Sequence, residues 1–445
     1  QYIVTEPHPA IVERKRQGLP EMGVLRESDS SWYMREENGG LLLGPYEKGA
    51  PCCYVDGPSD DSEYELFQED LDRLMPYVET AIERVPAFGE VGIKKIYNGA
   101  IAYTPDGSPI IGPAPGLKNF WLNEGHSFGI TAAGGAGWQL AEWIVEGEPS
   151  IDMMGVDPRR FGPYATEGYL REKNEEAYAN VFTTHYPDED RGAARPLKTT
   201  PNYGRMKKLG AVFGSVYGWE RANWFAPEGY EVPSEELGVG ADVLLSHNHA
   251  APLEDGRIVE KWSFRRSNYF EHVGNEVKNV HENVGLLDMS PFAKIEVSGP
   301  GARTWLDSIF ANRVPKRRRR VALCHLLTRN GGVRSEFTVY EWKPGCFYLV
   351  SAGGFEAHDH DVLFKLLPED GSVILRPITE EYGVLIVAGP KSREVLRKVT
   401  RASLSNADFP WLSGRKIALG HATAHALRVN FVGELGWELH QPIAM

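Results

Sequence analysis

The alternation of polar and apolar positions in this chain changes its rhythm twice. Up to about Phe161, short apolar runs alternate with turn signals such as Asp106-Gly107. The one clear helix start there lies at Gly134 to Gly137, running into Trp138-Gln-Leu-Ala-Glu-Trp-Ile-Val. From about Gly162 to Asn202, Tyr, Glu, Arg, Pro and Thr accumulate with little sustained periodicity, which predicts a connector packed between domains. Strand and helix patterns return from Tyr203. Phe292-Ala-Lys-Ile-Glu-Val-Ser leads into a turn at Gly299-Pro and then Gly-Ala-Arg-Thr-Trp-Leu. The same order recurs at Gly383-Val-Leu-Ile-Val-Ala, Gly389-Pro and Lys-Ser-Arg-Glu-Val-Leu, and predicts a duplicated α+β unit.

A chain of 445 residues exceeds one ordinary core and divides into two or three domains. No stretch reaches the eighteen or so uninterrupted apolar residues of a membrane helix, so a membrane role is not expected. The net charge of -13 repels polyphosphate backbones and argues against nucleic acid as a partner, leaving small molecules as the better fit. Cys52, Cys53, Cys324 and Cys346 have no paired metal-ligand spacing; no metal site is expected, and the thiols suit a reducing bacterial cytoplasm or mitochondrial matrix. The start at Gln1 and the stop at Met445 carry the expectation of a chain cut at both ends.

Two ordered segments supply candidate chemistry in the first region. They are Asn98-Gly-Ala-Ile-Ala-Tyr-Thr-Pro-Asp-Gly-Ser-Pro-Ile-Ile-Gly112-Pro and Gly125-His-Ser-Phe-Gly-Ile-Thr-Ala-Ala-Gly-Gly-Ala-Gly137. Small residues let backbone N–H groups approach a planar ring, and a helix starting there points its positive end at that ring. The pair resembles the C-terminal motif of D-amino-acid-oxidase-like flavoproteins. That resemblance implies that Gly125, His126, Ser127, Gly129, Ile130 and Thr131 line the approach to FAD. The plainer reading of the second segment is a helix N-cap with close helix–sheet packing. The Gly-x-Gly-x-x-Gly turn that would hold the FAD pyrophosphate does not occur in the chain, so these residues alone are expected to bind FAD weakly or not at all.

Gln1-Tyr-Ile-Val-Thr-Glu-Pro and Trp32-Tyr33-Met-Arg-Glu-Glu-Asn-Gly-Gly-Leu-Leu-Leu-Gly-Pro-Tyr resemble dimethylglycine and sarcosine dehydrogenases. The resemblance makes Tyr33 a catalytic candidate, a phenol that orients the substrate amine; a tyrosine that only packs is the alternative.

Three further segments follow: Val284-Gly-Leu-Leu-Asp288-Met-Ser290-Pro, Leu326-Leu-Thr-Arg-Asn-Gly-Gly-Val-Arg-Ser-Glu336, and Val429-Asn-Phe431-Val-Gly-Glu434-Leu-Gly-Trp-Glu438-Leu. In this order they resemble the GcvT-like aminomethyltransferases of glycine cleavage. The resemblance implies tetrahydrofolate as carrier, with Glu434 and Glu438, on one strand face, accepting the pterin's N–H donors and Phe431 beside them. Glu336 is then the catalytic acid/base that takes a proton from the attacking folate nitrogen.

The fold expected is α+β and multidomain. Residues 1–161 form the C-terminal part of a D-amino-acid-oxidase-like FAD domain, 162–202 a central connector domain, and 203–445 a GcvT-like aminomethyltransferase fold lacking its C-terminal barrel. The function expected is FAD-dependent oxidative demethylation of dimethylglycine or sarcosine, with the carbon passed to tetrahydrofolate and electrons to electron-transfer flavoprotein. Two alternatives share the resemblance: a regulatory subunit like that of pyruvate dehydrogenase phosphatase, and a dimethylglycine oxidase that uses oxygen. Lys316-Arg-Arg-Arg-Arg320 reads as a solvated loop, and the pairs His247/His249 and His358/His360 read as surface histidines.

Overall fold

The computed structural model describes residues 1–183, 185–232, 258–260, 262–429 and 431–444. The first region is built on a five-stranded antiparallel sheet. Its strands run in the order Leu25–Glu27, Trp32–Glu37, Gly40–Pro45, Tyr2–Thr5 and Ile93–Tyr97. One face carries Ile3, Trp32, Met34, Leu41 and Leu43, buried against Leu74, Tyr77 and Ala81 of the helix Leu71–Arg84. Strand alternation therefore turns Tyr2, Tyr33 and Arg35 to the other face.

A hairpin, Ile110–Pro113 with Trp121–Glu124, leads into the helix Gly129–Glu146. This helix begins five residues before the expected start. Glycines at 134, 135 and 137 lower the local propensity and mask the first turn in the sequence, while Ala136, Gln139 and Trp143 anchor the helix by burial. The connector is also more ordered than its composition implies, since Glu167–Ala179 is a helix. Its inward positions are Ala177, Ala179 and Tyr178 rather than large aliphatics, so the apolar period is faint.

The second region is two five-stranded antiparallel sheets. One orders Val321–Leu327, Val333–Lys343, Cys346–Ser351, Ala293–Ser298 and Ile374–Pro377. The other orders Gly285–Asp288, Tyr382–Ala388, Gly436–Pro442, Ala422–Leu427 and Gly414–Leu419. Tyr340, Trp342, Tyr348 and Leu427 form a core between the two sheets. The outer face of the first sheet is covered by the helices Ala302–Ile309 and Glu356–Lys365, that of the second by Ser392–Arg397.

The duplication read in the sequence is present as strand, tight turn and helix at 293–309 and again at 382–397. Each turn glycine is forced. Gly299 and Gly389 hold φ of 112° and 126°, and a Cβ on Gly389 would meet the Val280 carbonyl oxygen at 2.7 Å.

The regions meet at a buried ion cluster. Arg159 donates to Asp157 at 2.8 and 2.5 Å and to Asp361 at 3.4 Å. Asp361 also accepts from the Gly116 N–H at 2.8 Å and from Lys365 at 2.7 Å. Charges removed from water at a seam are tolerable only when paired in this way.

Candidate functional site

Two cavities lie near the candidate residues, and only the second is lined by any of them: none of Tyr33, Gly125, His126, Ser127, Gly129, Ile130 and Thr131 lines the first. The first, of about 800 Å³, lies between the segments 50–55 and 98–103 and the helix 167–179. Tyr103 and Tyr178 line it with their rings in edge contact at 5.7 Å, and burial pushes the Tyr103 phenol up to about 12. At one end stands Glu47, buried, with Arg73 Nε 3.5 Å from its carboxylate. Neither residue was singled out from the sequence. Glu47 follows a Gly-Pro-Tyr run and Arg73 sits on an ordinary amphipathic helix, so no local pattern marks them.

Tyr33 is not part of that lining. It lies on the outward face of its strand opposite Gly44, with Phe182 edge-on at 6.3 Å. A Cβ on Gly44 would overlap the Tyr33 ring, so only glycine lets the ring lie flat there. Burial raises the phenol's pKa, Arg35 opposing, which keeps it a neutral hydrogen-bonding group.

The two motif segments of this region meet. Gly125, at φ 70°, leaves room for the Thr104 methyl group of the Thr-Pro-Asp-Gly loop, where a Cβ would come within 2.8 Å. Arg160 clamps that loop through Asp106 at 2.7 and 3.0 Å. His126 Nε2 bonds Asn123 Oδ1 at 2.8 Å, while its buried Nδ1 has no partner among the described residues. The helix that follows has no side-chain cap, so its first N–H groups stay available. Ile130 is fully exposed, and side chains at 134, 135 or 137 would meet nothing within 4 Å. Backbone donors, an orphaned ring nitrogen and an open glycine face fit a flat polar ring such as a flavin.

The second cavity, of about 360 Å³, opens between the two sheets of the second region. On the strand Val333–Lys343, Phe337 and Val339 turn outward into the helix-covered core, while Ser335, though buried, borders the cavity. The inner positions change along the strand, Arg334, Glu336 and Thr338 lining the cavity and Tyr340 and Trp342 filling the core beyond it. Glu336 and Glu438 share this cavity with Phe431. Glu434 does not. Expected on one strand face with Glu438, it precedes the strand, which starts at Gly436, and its carboxylate lies 2.6 Å from His281 Nδ1. Gly433 at φ 78° turns the chain and breaks the alternation the sequence implied.

Each carboxylate around the cavity rests on a histidine. Glu336 lies 3.0 Å from His325 Nε2, its cross-strand partner, and His325 Nδ1 is 3.2 Å from Asn312 Oδ1. Asp359 lies 3.1 Å from His358 Nδ1. Glu438, only 6% exposed, lies 3.1 Å from His440 Nε2, and His440 Nδ1 is 3.0 Å from the Tyr348 hydroxyl. Burial drives the Tyr348 pKa well up, so its O–H donates to Nδ1 and leaves the His440 proton on Nε2, aimed at Glu438. Sequence reading missed these partners, although the two-residue spacing of Glu438 and His440 on a strand does place them on one face.

Three family models match the chain in sequence order: FAD dependent oxidoreductase over residues 1–143, FAD dependent oxidoreductase central domain over 146–200, and GCVT N-terminal domain over 202–445. The last alone spans more than half the chain. The protein belongs to the GCVT N-terminal domain family. It is 36% identical over 449 residues to the mitochondrial dimethylglycine dehydrogenase of Mus musculus, covering 99% of this chain and 48% of that protein. To the mitochondrial sarcosine dehydrogenase of Homo sapiens it is 30% identical, covering 99% and 50%. The mitochondrial pyruvate dehydrogenase phosphatase regulatory subunit of Mus musculus is 28% identical, covering 94% and 45%. The chain spans about half the length of the curated relatives it matches. In this GCVT-family chain, the carboxylate pair Glu336 and Glu438 falls within the GCVT-matched residues, and the glycine-rich helix and first cavity belong mainly to the FAD-oxidoreductase match.

The remaining sequence candidates separate cleanly. Lys316 to Arg320 are exposed and line neither cavity. His358 and His360 are not surface strand residues: both lie on the helix Glu356–Lys365, where His358 is buried, and burial lowers the His360 pKa. His247 and His249 fall outside the described residues. Among the described residues no group of His, Cys, Asp and Glu could hold a metal, and no helix is long and apolar enough to cross a membrane.

Proposed function

We propose that the protein takes part in flavin-dependent oxidative N-demethylation of dimethylglycine or sarcosine, with the one-carbon unit captured by tetrahydrofolate. The reading is supported chiefly by the meeting of Glu336 and Glu438 on one cavity, in a chain whose other half matches the FAD dependent oxidoreductase model. When bound, FAD supplies a two-electron acceptor for hydride from the N-methyl carbon, and tetrahydrofolate two nucleophilic nitrogens for the resulting one-carbon unit.

The chain's own groups divide the remaining work. Gly125 through Thr131 present backbone donors and the free His126 nitrogen to the flavin ring. Tyr33 remains protonated and orients the amine so that its methyl group faces the acceptor. Transfer of the carbon from an iminium to two folate N–H groups yields methylenetetrahydrofolate, the free amine and one proton; Glu336 receives that proton. Glu438, held by His440, accepts from the pterin's N–H donors, and Phe431 lies against the ring. Residues 1–161, 162–202 and 203–445 act on this reading as flavin domain, connector and folate domain. Electron-transfer flavoprotein is the electron acceptor it implies, and the mitochondrial naming of both dehydrogenase relatives supports a matrix setting.

The experiment supplies full-length, FAD-loaded protein with dimethylglycine and follows flavin absorbance. Bleaching is expected, with formaldehyde released when tetrahydrofolate is left out and methylenetetrahydrofolate formed when it is present. In Glu336→Gln, bleaching persists while transfer falls by about a hundredfold or more, the usual worth of a positioned base. Absence of bleaching with both dimethylglycine and sarcosine removes the oxidative reading.

A further inference from the structure

The three carboxylates that line the second cavity, Glu336, Asp359 and Glu438, each have a histidine as partner. The guanidinium on the same wall has none. Arg334 makes no hydrogen bond and no ion pair with any described residue. It is half-buried, and burial together with the like charge of Arg159 lowers its pKa, against the longer-range pull of Glu148, Asp157 and Asp361. A guanidinium has five donors, and leaving them unmet in a partly desolvated wall is unfavourable.

The backbone also singles this residue out. Leu326 pairs with Ser335, but Leu327 pairs with Val333, so Arg334 is the extra residue of a β-bulge. The register shift leaves Arg334 without a cross-strand partner, and its side chain lies with Glu336 and Thr338 on the cavity wall. Each acid of the wall is bonded to a histidine, and Arg334 is the charged lining group left without a partner among the described residues. Planar and two-pronged, a guanidinium suits a carboxylate best.

We propose that Arg334 seats a carboxylate of the ligand bound in this cavity, which on the tetrahydrofolate reading is the glutamate tail of the carrier. The exposed run Lys316 to Arg320, the more obvious basic feature, lies outside the cavity lining. The assignment rests on the folate reading above, and the test separates the two.

Full-length protein is titrated calorimetrically with 5-formyltetrahydrofolate and with the same reduced pterin lacking its glutamate, for wild type, Arg334→Met and Arg334→Lys. A charge-assisted bond to a carboxylate contributes enough that Arg334→Met should weaken the glutamyl probe by roughly ten- to a hundredfold. The probe without glutamate should bind wild type and Arg334→Met alike, and Arg334→Lys should recover part of the loss. If Arg334→Met leaves the glutamyl probe unchanged, or weakens both probes equally, the assignment of Arg334 falls while the folate reading stands. If wild type binds neither probe, the folate reading itself is overturned and this assignment with it.

Discussion

The first cavity mixes the rings of Tyr54, Phe67, Tyr103 and Tyr178 with the charged Glu47, Asp70, Arg73 and Glu175, and the motif residues of its region are mostly glycine and backbone. In the second, each lining acid is fixed by a histidine. The glycine-bearing loops of the first region suit a large planar ring, which needs close backbone approach. The second suits proton transfer and recognition of N–H donors, which need carboxylates in fixed orientation. Precision in the first region therefore depends on what is absent, a Cβ at Gly44 or Gly125. In the second it depends on what is present, a chain of hydrogen bonds ending in Tyr348.

The largest effect on stability is expected where that chain is cut. His440→Leu leaves Glu438 buried without its donor and the Tyr348 hydroxyl without its acceptor, a cost of about 3 kcal/mol. Urea denaturation reads the loss, and His440→Gln, which keeps an N–H to offer, should restore part of it. A loss below about 0.5 kcal/mol, within the spread of ordinary surface substitutions, would mean that the second cavity does not depend on a directed network, and the contrast would dissolve. The counterpart in the first region is Gly44→Ala. Its new Cβ overlaps the Tyr33 ring and forces it to move, a cost of roughly 2 kcal/mol typical of overpacking. Flavin reduction by dimethylglycine should slow in this variant while binding of 5-formyltetrahydrofolate is unchanged. Equal damage to both would show that the regions are not independent.

How much of this was legible in the sequence follows the same division. Glycine requirements are local, so Gly125, Gly299 and Gly389 could be read as backbone constraints from the chain alone. The acids Glu336 and Glu438 were legible as parts of ordered motifs. Their partners were not. His325 meets Glu336 through cross-strand register, and Tyr348 meets His440 across 92 positions, distances over which neither composition nor periodicity carries information. Glu434 was misplaced for the converse reason: one glycine at positive φ ends an alternation that looks continuous in sequence. The helix Glu167–Ala179 was hidden because it packs through alanine and tyrosine, and the bulge at Arg334 because nothing in Val-Arg-Ser-Glu announces an extra residue.

The smallest expected effect near neutral pH is a pH dependence centred on His425 in the second region. His425, facing His440 across the ladder, lies against the rings of Tyr340 and Trp342 and near Lys416 and Lys343. Its Nδ1 is buried without a partner among the described residues. Burial, reinforced by His440 and the two lysines, lowers its pKa from 6.5 to about 4. For a base the sign is that the unfolded chain takes up the proton first as pH falls below 6.5, so folded stability is lost on acidification, and the loss is complete only below about pH 4. At pH 6 the loss is roughly 1 kcal/mol, and it grows toward pH 4. His425→Leu should remove this part of the slope, read as the difference between wild type and variant in urea midpoints from pH 7.5 to pH 5. A slope that survives the substitution unchanged would show that the acid sensitivity does not originate at His425 in the core between the sheets.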